Sequence, residues 1–267
     1  MSLIKCKIYQ IDAFTKDVFG GNPACVIELR EWLPESVLLS IAKENGVPET
    51  AFFINQGEYY HIRWFTPDIE MDLCGHATLA TAHVIFNHLG YRYHTIRFRS
   101  ASGELAVKRD NNLMVLDFPS RDPKPAHLPV ELAESLNIQP QEVFKARDYV
   151  LVYLNQNEVE AFAPNRAMFD RVNINPGGVI ATARGEDVDF VSRFFTPQAT
   201  ILEDPVTGSA HCTLIPFWAK RLGQTQLHAL QLSERGGELF CVDAGHRVLI
   251  KGSAVTYLAG EIGVPIQ

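Results

Sequence analysis

Three side chains in the sequence can exchange protons. Two of them flank one glycine, and the third comes shortly before an apolar run. Cys74 and His76 flank Gly75, and Glu49 precedes the run Ala51-Phe52-Phe53-Ile54. A carboxyl group in an apolar setting holds its proton more tightly and is suited to general acid–base catalysis. A cysteine at the start of a helix can have a lowered thiol pKa. These residue types therefore predict chemistry in which a proton is moved.

A second group of the same kind lies near Gly208. Asp204 precedes Pro205 in a tight loop, and Gly208 and Ser209 begin a run of small and apolar residues. The first N–H groups of a helix lack partners within the helix, and the helix dipole adds about half a positive charge there. Two helices that begin at Gly75 and Gly208 would therefore suit a small carboxylate or a developing enolate in a cleft between them.

Each candidate also has a plain structural interpretation. Glu49 could be an exposed charge at the start of a strand, and Asp204 a turn or capping residue. His76 could be packed or could cap its helix, and Cys74 could be a buried free thiol. The hydroxyl residues Thr78 and Ser209 could simply cap the two helices. The residue types alone leave these alternatives open.

The elements that carry these residues occur twice in the sequence. Phe65-Thr66-Pro67 returns as Phe195-Thr196-Pro197, at nearly the same offset that separates the helix-start glycines Gly75 and Gly208. Ser102-Gly103-Glu104-Leu105 returns as Gly236-Gly237-Glu238-Leu239 at a similar offset. This period is too long for a solenoid, whose units repeat roughly every 20–50 residues. It indicates a duplicated domain, with a first domain at 1–119 and a second at 120–267.

The pattern within each half predicts an α+β fold, in which a curled mixed sheet surrounds one buried central helix. Pro216 predicts a kink or an early break in the second buried helix. The last strand could cross back to complete the first domain. The predicted helices are Pro34–Asn45, Gly75–His88, Val130–Leu136 and Gly208–Ala219, and the predicted strands are Lys5–Asp12, Ala24–Leu29, Val47–Ile54, Tyr59–Phe65, Ile96–Phe98, Glu104–Lys108, Leu113–Phe118, Asp148–Leu154, Val188–Phe195, Leu230–Ser233, Glu238–Val242, Arg247–Lys251 and Ala254–Leu258.

Composition narrows the class of partner. The chain has 267 residues, is 46% hydrophobic and 21% charged, and carries a formal net charge of −7. The negative charge argues against nucleic acid and against an anionic membrane surface as partners. No apolar run reaches the length of roughly 18 residues that a membrane-spanning helix requires, so no such segment is expected. The N-terminus lacks the pattern of a signal peptide, which favours the cytoplasm.

The cysteines and histidines predict neither a disulfide framework nor a metal site. The five cysteines are scattered and form no CxxC pair, which suits free thiols in a reducing cytoplasm. The histidines form no HExxH motif, and His76 and His83 are separated by about two helical turns. We therefore expect no metal.

The sequence resembles the PhzF (phenazine biosynthesis) family. The family shares the two-lobed diaminopimelate epimerase fold, which agrees with the duplicated α+β domains predicted above. The motifs that carry the resemblance are Asp12-Ala13-Phe14-Thr15, Phe19-Gly20-Gly21-Asn22-Pro23-Ala24, Pro48-Glu49-Thr50-Ala51-Phe52, Cys74-Gly75-His76-Ala77-Thr78 and Glu203-Asp204-Pro205-Val206-Thr207-Gly208-Ser209-Ala210-His211.

The resemblance implies a role for each candidate residue. Glu49 matches the family's catalytic glutamate, which shuttles the proton, and His76 and Asp204 match the residues that assist it. Gly75 and Ser209 match positions that bind the substrate or its anionic intermediate, and we expect the neighbouring Cys74 and Gly208 to bind there as well. The founding activity isomerises trans-2,3-dihydro-3-hydroxyanthranilate without a metal or an organic cofactor, and family members commonly form homodimers.

The resemblance therefore predicts a biosynthetic, cofactor-independent isomerase acting on a small carboxylate. Related epimerases and racemases use two cysteines as opposed acid and base, and the second of these positions is Thr207 here. Two other functions stay open. One is an amino-acid racemase or epimerase in which Cys74 and a carboxylate are the two bases. The other is a small-acid binding protein without catalytic activity.

Overall fold

The computed structural model describes residues 3–174 and 177–265. The chain divides into two compact units. The first runs to Asp117 and resumes at Lys251, and the second spans Phe118–Ile250. The segment that begins at Lys251 thus packs with the first unit, the arrangement that the sequence had left open. Among the described residues, no helix is long and apolar enough to cross a membrane.

The first unit is built on one mixed sheet with two helices. Neighbouring strands in this sheet follow the order β18-β1-β2-β3-β4-β6-β7-β8, in which β2–β3 and β4–β6 are parallel and the other pairs are antiparallel. Its elements are β1 (Leu3–Ala13), β2 (Asn22–Glu28), α1 (Glu35–Asn45), β3 (Glu49–Asn55), β4 (Tyr60–Phe65), β5 (Glu70–Met71), α2 (Gly75–Asn87), β6 (Thr95–Ser100), β7 (Gly103–Asp110), β8 (Leu113–Pro119) and β18 (Ala254–Pro265).

The second unit has its own mixed sheet, with strand neighbours in the order β9-β10-β11-β12-β13-β15-β16. The pairs β11–β12 and β13–β15 are parallel and the others antiparallel. Its elements are β9 (Lys124–Pro125), α3 (Val130–Ser135), β10 (Glu142–Lys145), β11 (Tyr149–Val152), α4 (Gln156–Glu160), α5 (Arg166–Phe169), β12 (Val179–Arg184), β13 (Phe190–Phe195), β14 (Glu203–Asp204), α6 (Gly208–Leu222), β15 (Gln226–Gln231), β16 (Gly237–Asp243) and β17 (Arg247–Gly252).

The two units share one topology. From β1 to β7 and from β10 to β16, the pairs alternate antiparallel, parallel, antiparallel, parallel, antiparallel. In each unit a two-residue strand, β5 or β14, leads into the long helix, α2 or α6. The sequence repeat therefore corresponds to two copies of the same α+β unit.

The long helix of each unit is buried, as its apolar circumference predicts. In α2 all residues from Gly75 to Phe86 are buried except the half-buried His83. In α6 burial extends from Gly208 to Ala219 with only Ser209 and Pro216 half-buried. Helix α2 packs on β1, β2 and β3, and nearly all residues of β2 and β3 are buried.

The prediction of an early break at Pro216 is wrong, because α6 continues to Leu222. A proline has no N–H to donate to the carbonyl four residues earlier, which here is that of Cys212. The backbone N–H of Arg121 donates to the Cys212 carbonyl oxygen instead, at 2.9 Å. A neighbouring loop thus satisfies the acceptor that the proline leaves without an intrahelical partner.

The sequence pattern missed six short elements of the second unit and misplaced one strand. Strand β12 has a short, mostly apolar sequence beside loop residues, and β9, β10, α4, α5 and β14 are shorter still. The strand predicted at Leu230–Ser233 lies at Gln226–Gln231. Such short elements depend on their tertiary partners more than on periodicity.

Candidate active site

Glu49 is the first residue of β3, at the edge of the buried part of the first unit. It pairs in parallel register with Ala24 of β2, and the five residues that follow it are buried. Pro48 precedes it and has no N–H to extend the ladder. The Glu49 side chain is only 12% exposed. The strand thus holds a carboxylate at the rim of an apolar core.

Glu49 meets His76, the second residue of α2. The distance between Glu49 Oε2 and His76 Nε2 is 3.1 Å, and the His76 side chain is 3% exposed. Both atoms are buried, and neither has a well-aligned hydrogen bond among the described residues. Hydrogen bonds of a catalytic site often become aligned only when the substrate is bound. Oε2 of Glu49 and Nε2 of His76 therefore remain able to accept or donate a proton.

The opposite ring nitrogen of His76 contacts two other side chains. Asn22 Nδ2 lies 3.1 Å from His76 Nδ1, and Cys74 Sγ lies 3.6 Å from the same atom. Asn22 and Cys74 are both buried. His76 consequently bridges a carboxylate on one side and an amide and a thiol on the other.

The electrostatics of this group differ from one member to the next. Burial acts to lower the pKa of His76, but the neighbouring Glu49 carboxylate raises it well above its ordinary value. Burial raises the pKa of Cys74 to about 11, helped by the Glu49 charge and opposed by His76. Of the two interpretations that the sequence left open for Cys74, a lowered thiol pKa is therefore wrong and a buried free thiol is confirmed, because the loss of solvent outweighs the helix start. At neutral pH Cys74 is a thiol.

Helix α2 begins without a side-chain cap. Its N-cap is Cys74, in extended backbone geometry, and no side chain accepts a hydrogen bond at that position. Thr78 does not cap the helix, because its Oγ1 donates to the carbonyl oxygen of Cys74, 2.5 Å away. The first N–H groups of a helix and its dipole attract an anion. Gly75 adds no side chain that would obstruct this approach.

The same three residues could also offer ligands to a metal ion. One donor atom each of Glu49, Cys74 and His76 lies within 4.8 Å of the others. However, His76 turns Nδ1 toward Cys74 and Nε2 toward Glu49, which are opposite atoms of one ring. One ion bonds to a single ring nitrogen at about 2 Å. The arrangement therefore suits proton exchange along the ring better than chelation.

In the second unit, Asp204 takes part in a network with a hydroxyl and an amide side chain. Thr207 Oγ1 donates to Asp204 Oδ2 at 2.6 Å. The buried side chain of Gln231 accepts from the Thr207 N–H at 2.8 Å and donates to the Asp204 carbonyl oxygen at 2.7 Å. Thr207 is the N-cap of α6, again without a side-chain cap bond. This network fixes the loop that leads into α6.

The residues at the start of α6 differ from those at the start of α2. Gly208 is buried and Ser209 is half-buried, and Ser209 is not the N-cap. His211 Nδ1 lies 2.9 Å from the Thr207 carbonyl oxygen. Burial lowers the pKa of His211 to about 4, against the smaller effect of that hydrogen bond. His211 is therefore neutral across the physiological range.

The predicted site residues thus fall into two groups, each within one unit. The first unit brings together Glu49, Cys74, Gly75 and His76, although the glutamate lies on a different element from the other three. The second unit places Asp204, Gly208 and Ser209 along one loop and helix start.

Sequence reasoning missed the contacts made by Asn22, Thr207 and Gln231. The Gly20-Gly21-Asn22-Pro23 string indicated a turn, but nothing in it indicated a contact with a histidine far along the chain. The glutamine that joins Asp204 to Thr207 lies on a strand beyond α6, and no local pattern connects it to that loop.

Comparison with known proteins defines the class. The family model of the PhzC-PhzF proteins, described as phenazine biosynthesis-like protein, matches residues 11–260. The chain therefore belongs to the PhzC-PhzF family. An uncharacterized isomerase of Pseudomonas aeruginosa is 45% identical over 255 residues, which cover 96% of this chain and 98% of that protein. The chain is an isomerase of this family.

Solved structures agree with the fold. A PhzF-family phenazine biosynthesis protein from Enterococcus faecalis has a TM-score of 0.92 and 45% identity, over 97% of this chain and 99% of that one. A hydroxyproline epimerase from Agrobacterium vitis, at 8% identity, has a TM-score of 0.62 over 97% of this chain and 93% of its own. The second likeness concerns the fold alone and confirms the epimerase-like α+β architecture.

Proposed function

We propose that the protein is a cofactor-independent isomerase that moves a proton between two carbon atoms of a small carboxylate substrate, similar to trans-2,3-dihydro-3-hydroxyanthranilate isomerase. The observation that carries the proposal is the buried contact of 3.1 Å between Glu49 Oε2 and His76 Nε2. It lies beside a helix start that has no side-chain cap. An acid–base group and an anion-binding feature thus occur together in the first unit.

Glu49 performs both halves of the reaction in this proposal. As a carboxylate it takes a proton from one substrate carbon, so that a C–H bond breaks and an O–H bond forms. The released electron pair spreads into the conjugated system of the substrate as an enolate-like anion. The resulting carboxylic acid then returns the proton to a second carbon of the same molecule. Reactant and product differ only in the position of one hydrogen and the double bonds.

His76 and the start of α2 support this transfer. His76 stands against one oxygen of Glu49 and leaves the other carboxylate oxygen for the substrate. The uncapped N–H groups that follow Cys74 stabilise the negative charge that develops on the intermediate. Stabilisation of a transition-state charge by fixed donors is commonly the largest single contribution to catalysis. Cys74 and Gly75 contribute the shape of this anion site.

For the second unit, we assign Asp204 a supporting acid–base role and Gly208 and Ser209 a role in binding the substrate carboxylate. The Thr207 hydroxyl holds Asp204 Oδ2 at 2.6 Å and so fixes the direction of the carboxylate. Ser209 is half-buried in the first turn of α6, where a hydroxyl adds a donor to the backbone N–H groups. Both assignments rest on chemistry typical of helix starts.

The racemase alternative requires Cys74 to act as a base. Its raised pKa of about 11 disfavours a thiolate at neutral pH. The position expected to carry the opposed cysteine is Thr207, whose hydroxyl is already engaged by Asp204. The carboxylate mechanism therefore requires fewer unfavourable protonation states than the thiol mechanism.

The test is proton NMR in D₂O with a panel of small acids: dihydro-hydroxyanthranilate, diaminopimelate, proline and other amino acids. The wild-type protein is compared with Glu49→Gln and with Glu44→Gln, a control at an exposed glutamate of α1. We expect deuterium at a substrate carbon, or conversion to an isomer, with wild type and Glu44→Gln only. Turnover by folded Glu49→Gln would refute the role of Glu49. Saturable binding without carbon-bound exchange would favour a binding protein.

We also propose that the protein is a homodimer of the reducing cytoplasm with a biosynthetic role. The five cysteines are buried and free, as suits a compartment that keeps thiols reduced. Light scattering should give twice the chain mass of 29.9 kDa. A mass equal to one chain would contradict the dimer.

A further inference from the structure

The Nδ1 atom of His76 faces two groups that can donate a hydrogen bond. The Asn22 amide nitrogen lies 3.1 Å away and the Cys74 sulfur 3.6 Å away. An amide NH₂ group only donates, and a thiol that keeps its proton donates weakly. A ring nitrogen between two donors must accept. The single proton of the neutral imidazole then belongs on Nε2, which is the atom that faces Glu49.

The backbone around Asn22 holds its side chain in place. Asn22 is fully buried and pairs with Ala13 at the end of β1. Gly21 before it has φ +60°, and a Cβ there would lie 2.1 Å from the Ala13 carbonyl oxygen. The loop is also tied by Asp12, whose Oδ2 accepts from the Phe19 N–H at 2.8 Å. Only glycine fits before Asn22, so the turn fixes the backbone position from which the Asn22 amide contacts His76.

We propose that Asn22 is a positioning residue that keeps Nε2 of His76 protonated and directed at Glu49. The proposal rests on the function assigned to Glu49 for its catalytic meaning, but its structural content concerns the His76 ring alone. A proton on Nε2 faces one oxygen of the Glu49 carboxylate at 3.1 Å and leaves the other oxygen to act on the substrate. The reversed tautomer would place a bare nitrogen against the carboxylate, and the two lone pairs would repel each other.

Asn22 and Glu49 together distinguish the two ring nitrogens. Toward the neutral ring, the Asn22 NH₂ group donates to Nδ1. When the ring takes a second proton, the amide presents its carbonyl oxygen to Nδ1–H instead. A carboxylate at Glu49 only accepts, so Nε2 keeps its proton in both states, and the proton that leaves is the one on Nδ1.

The test is the tautomer of His76, read by NMR without any substrate. Ring nitrogens of ¹⁵N-histidine-labelled protein are followed by long-range proton–nitrogen correlation as the pH rises. The His76 signals are those that disappear in His76→Gln. The titratable groups acting on the ring are Glu49 of β3 and Cys74 at the start of α2. We expect Nδ1 to lose its proton first, or to be already bare, while Nε2 stays protonated.

The wild-type measurement is sufficient to overturn the proposal, either if Nε2 lost its proton first or if the neutral ring carried its proton on Nδ1. Asn22→Asp sharpens it, because a carboxylate at this position accepts from Nδ1–H and should fix the proton there. The matched control is Asn87→Asp. Asn87 Nδ2 makes the same contact of 3.1 Å with Nδ1 of His83, on the same helix. It should leave the His76 signals unchanged.

The result of this test can be distinguished from the result of the test of the proposed function. If Glu49→Gln still turned over substrate, the catalytic role of Glu49 would fail, yet the His76 tautomer would still report on Asn22. If Glu49→Gln were inactive but the wild-type ring were protonated at Nδ1, Glu49 would keep its role and Asn22 would lose the one proposed here. An unchanged His76 tautomer in folded Asn22→Asp would likewise remove Asn22 as the residue that sets it.

Discussion

The starts of α2 and α6 have the same backbone design but different side-chain chemistry. Each helix begins at a buried glycine after an N-cap that makes no side-chain cap bond. At α2, His76 lies 3.1 Å from the carboxylate of Glu49. At α6, the corresponding loop is held by hydroxyl and amide contacts of Thr207 and Gln231. The two units share an anion-attracting backbone, but the buried histidine–carboxylate pair lies at the start of α2, and the described residues form no such pair at the start of α6.

The pKa values of His76 and His211 show the same difference between the two helix starts. The pKa of His76 is raised, because the Glu49 carboxylate outweighs the effect of burial. The pKa of His211 is lowered to about 4, because burial meets no charged partner. Burial alone thus makes a helix histidine inert, and a neighbouring carboxylate restores its ability to carry a proton. We assign proton transfer to the first unit on this ground.

Among the changes that separate the two helix starts, replacing the two histidines should have the largest effect. His76→Gln should reduce kcat about 10²-fold, in the range of a lost acid–base partner. His211→Leu should leave kcat within a few-fold of wild type. It should lower the free energy of unfolding by about 1–2 kcal/mol, because the Thr207 carbonyl loses its side-chain donor. Equal losses of kcat in both variants, with both proteins folded, would break the comparison.

The pH dependence of stability should separate the histidines by sign. His76 has a raised folded pKa, so its contribution is complete below the unfolded pKa of about 6.5 and is lost as the pH rises through the folded value. His211 contributes above about 6.5 and loses this as the pH falls through about 4. Its loss amounts to at most about 3 kcal/mol.

Urea unfolding at pH 7 and pH 4.5 measures the acid limb. The decrease in the free energy of unfolding between these two values should be smaller in His211→Leu than in wild type. It should persist in His76→Gln, because the histidine removed there titrates in the opposite direction and His211 is still present. An acid decrease that vanished in His76→Gln would show that the two histidines have been assigned the wrong signs.

A smaller effect is expected from the hydroxyl of Thr207. Thr207→Val keeps the volume but removes the donor to Asp204 Oδ2, so kcat should fall about tenfold. Ser233→Ala removes a nearby bond of 2.8 Å to the Pro205 carbonyl oxygen and serves as the control. If both variants lost kcat alike, Thr207 would matter for the stability of the loop and not for the direction of Asp204.

Cys74→Ser should change kcat less than about threefold, because the buried thiol is protonated at neutral pH and is not the base. A loss of two orders of magnitude or more would favour the thiol racemase mechanism. The variant is measured in the same exchange assay as wild type, so that substrate and solvent are identical.

The smallest effect is expected from chelation. Dialysis against EDTA should leave the rate unchanged, because proton transfer by Glu49 and His76 requires no ion. Loss of activity that returns with added Zn²⁺ would instead assign the cluster of Glu49, Cys74 and His76 to a metal.

The sequence predicted the parts of the fold that rest on strong local patterns. The helices at Gly75 and Gly208 follow from long runs of small and apolar residues, and the repeat follows from matched motifs at near-constant offset. Strand β12 was missed because a short apolar run has no period that distinguishes strand from helix. The continuity of α6 through Pro216 could not be predicted, since it depends on the N–H of Arg121, a residue far away in the sequence.

The site was predictable as residue types but not as contacts. Glu49 and His76 were singled out by their neighbours, whereas the partner Asn22 is brought to them only by the pairing of β1 with β2 and of β2 with β3. The sequence left the direction of the Cys74 pKa open, because a helix start is visible in the sequence and the depth of burial is not. Tertiary contacts, and not local patterns, decide which titratable group is active.

The most direct test of the account compares the two carboxylates in one assay. Deuterium incorporation at the substrate carbon is measured in D₂O for wild type, Glu49→Gln and Asp204→Asn, at equal concentration and with folding verified by circular dichroism. We expect Glu49→Gln to lose at least about 10³-fold, and Asp204→Asn to retain measurable exchange at a rate reduced about tenfold to a hundredfold. Exchange that survives in Glu49→Gln but is abolished in Asp204→Asn would place the proton-transfer group in the second unit and contradict the account.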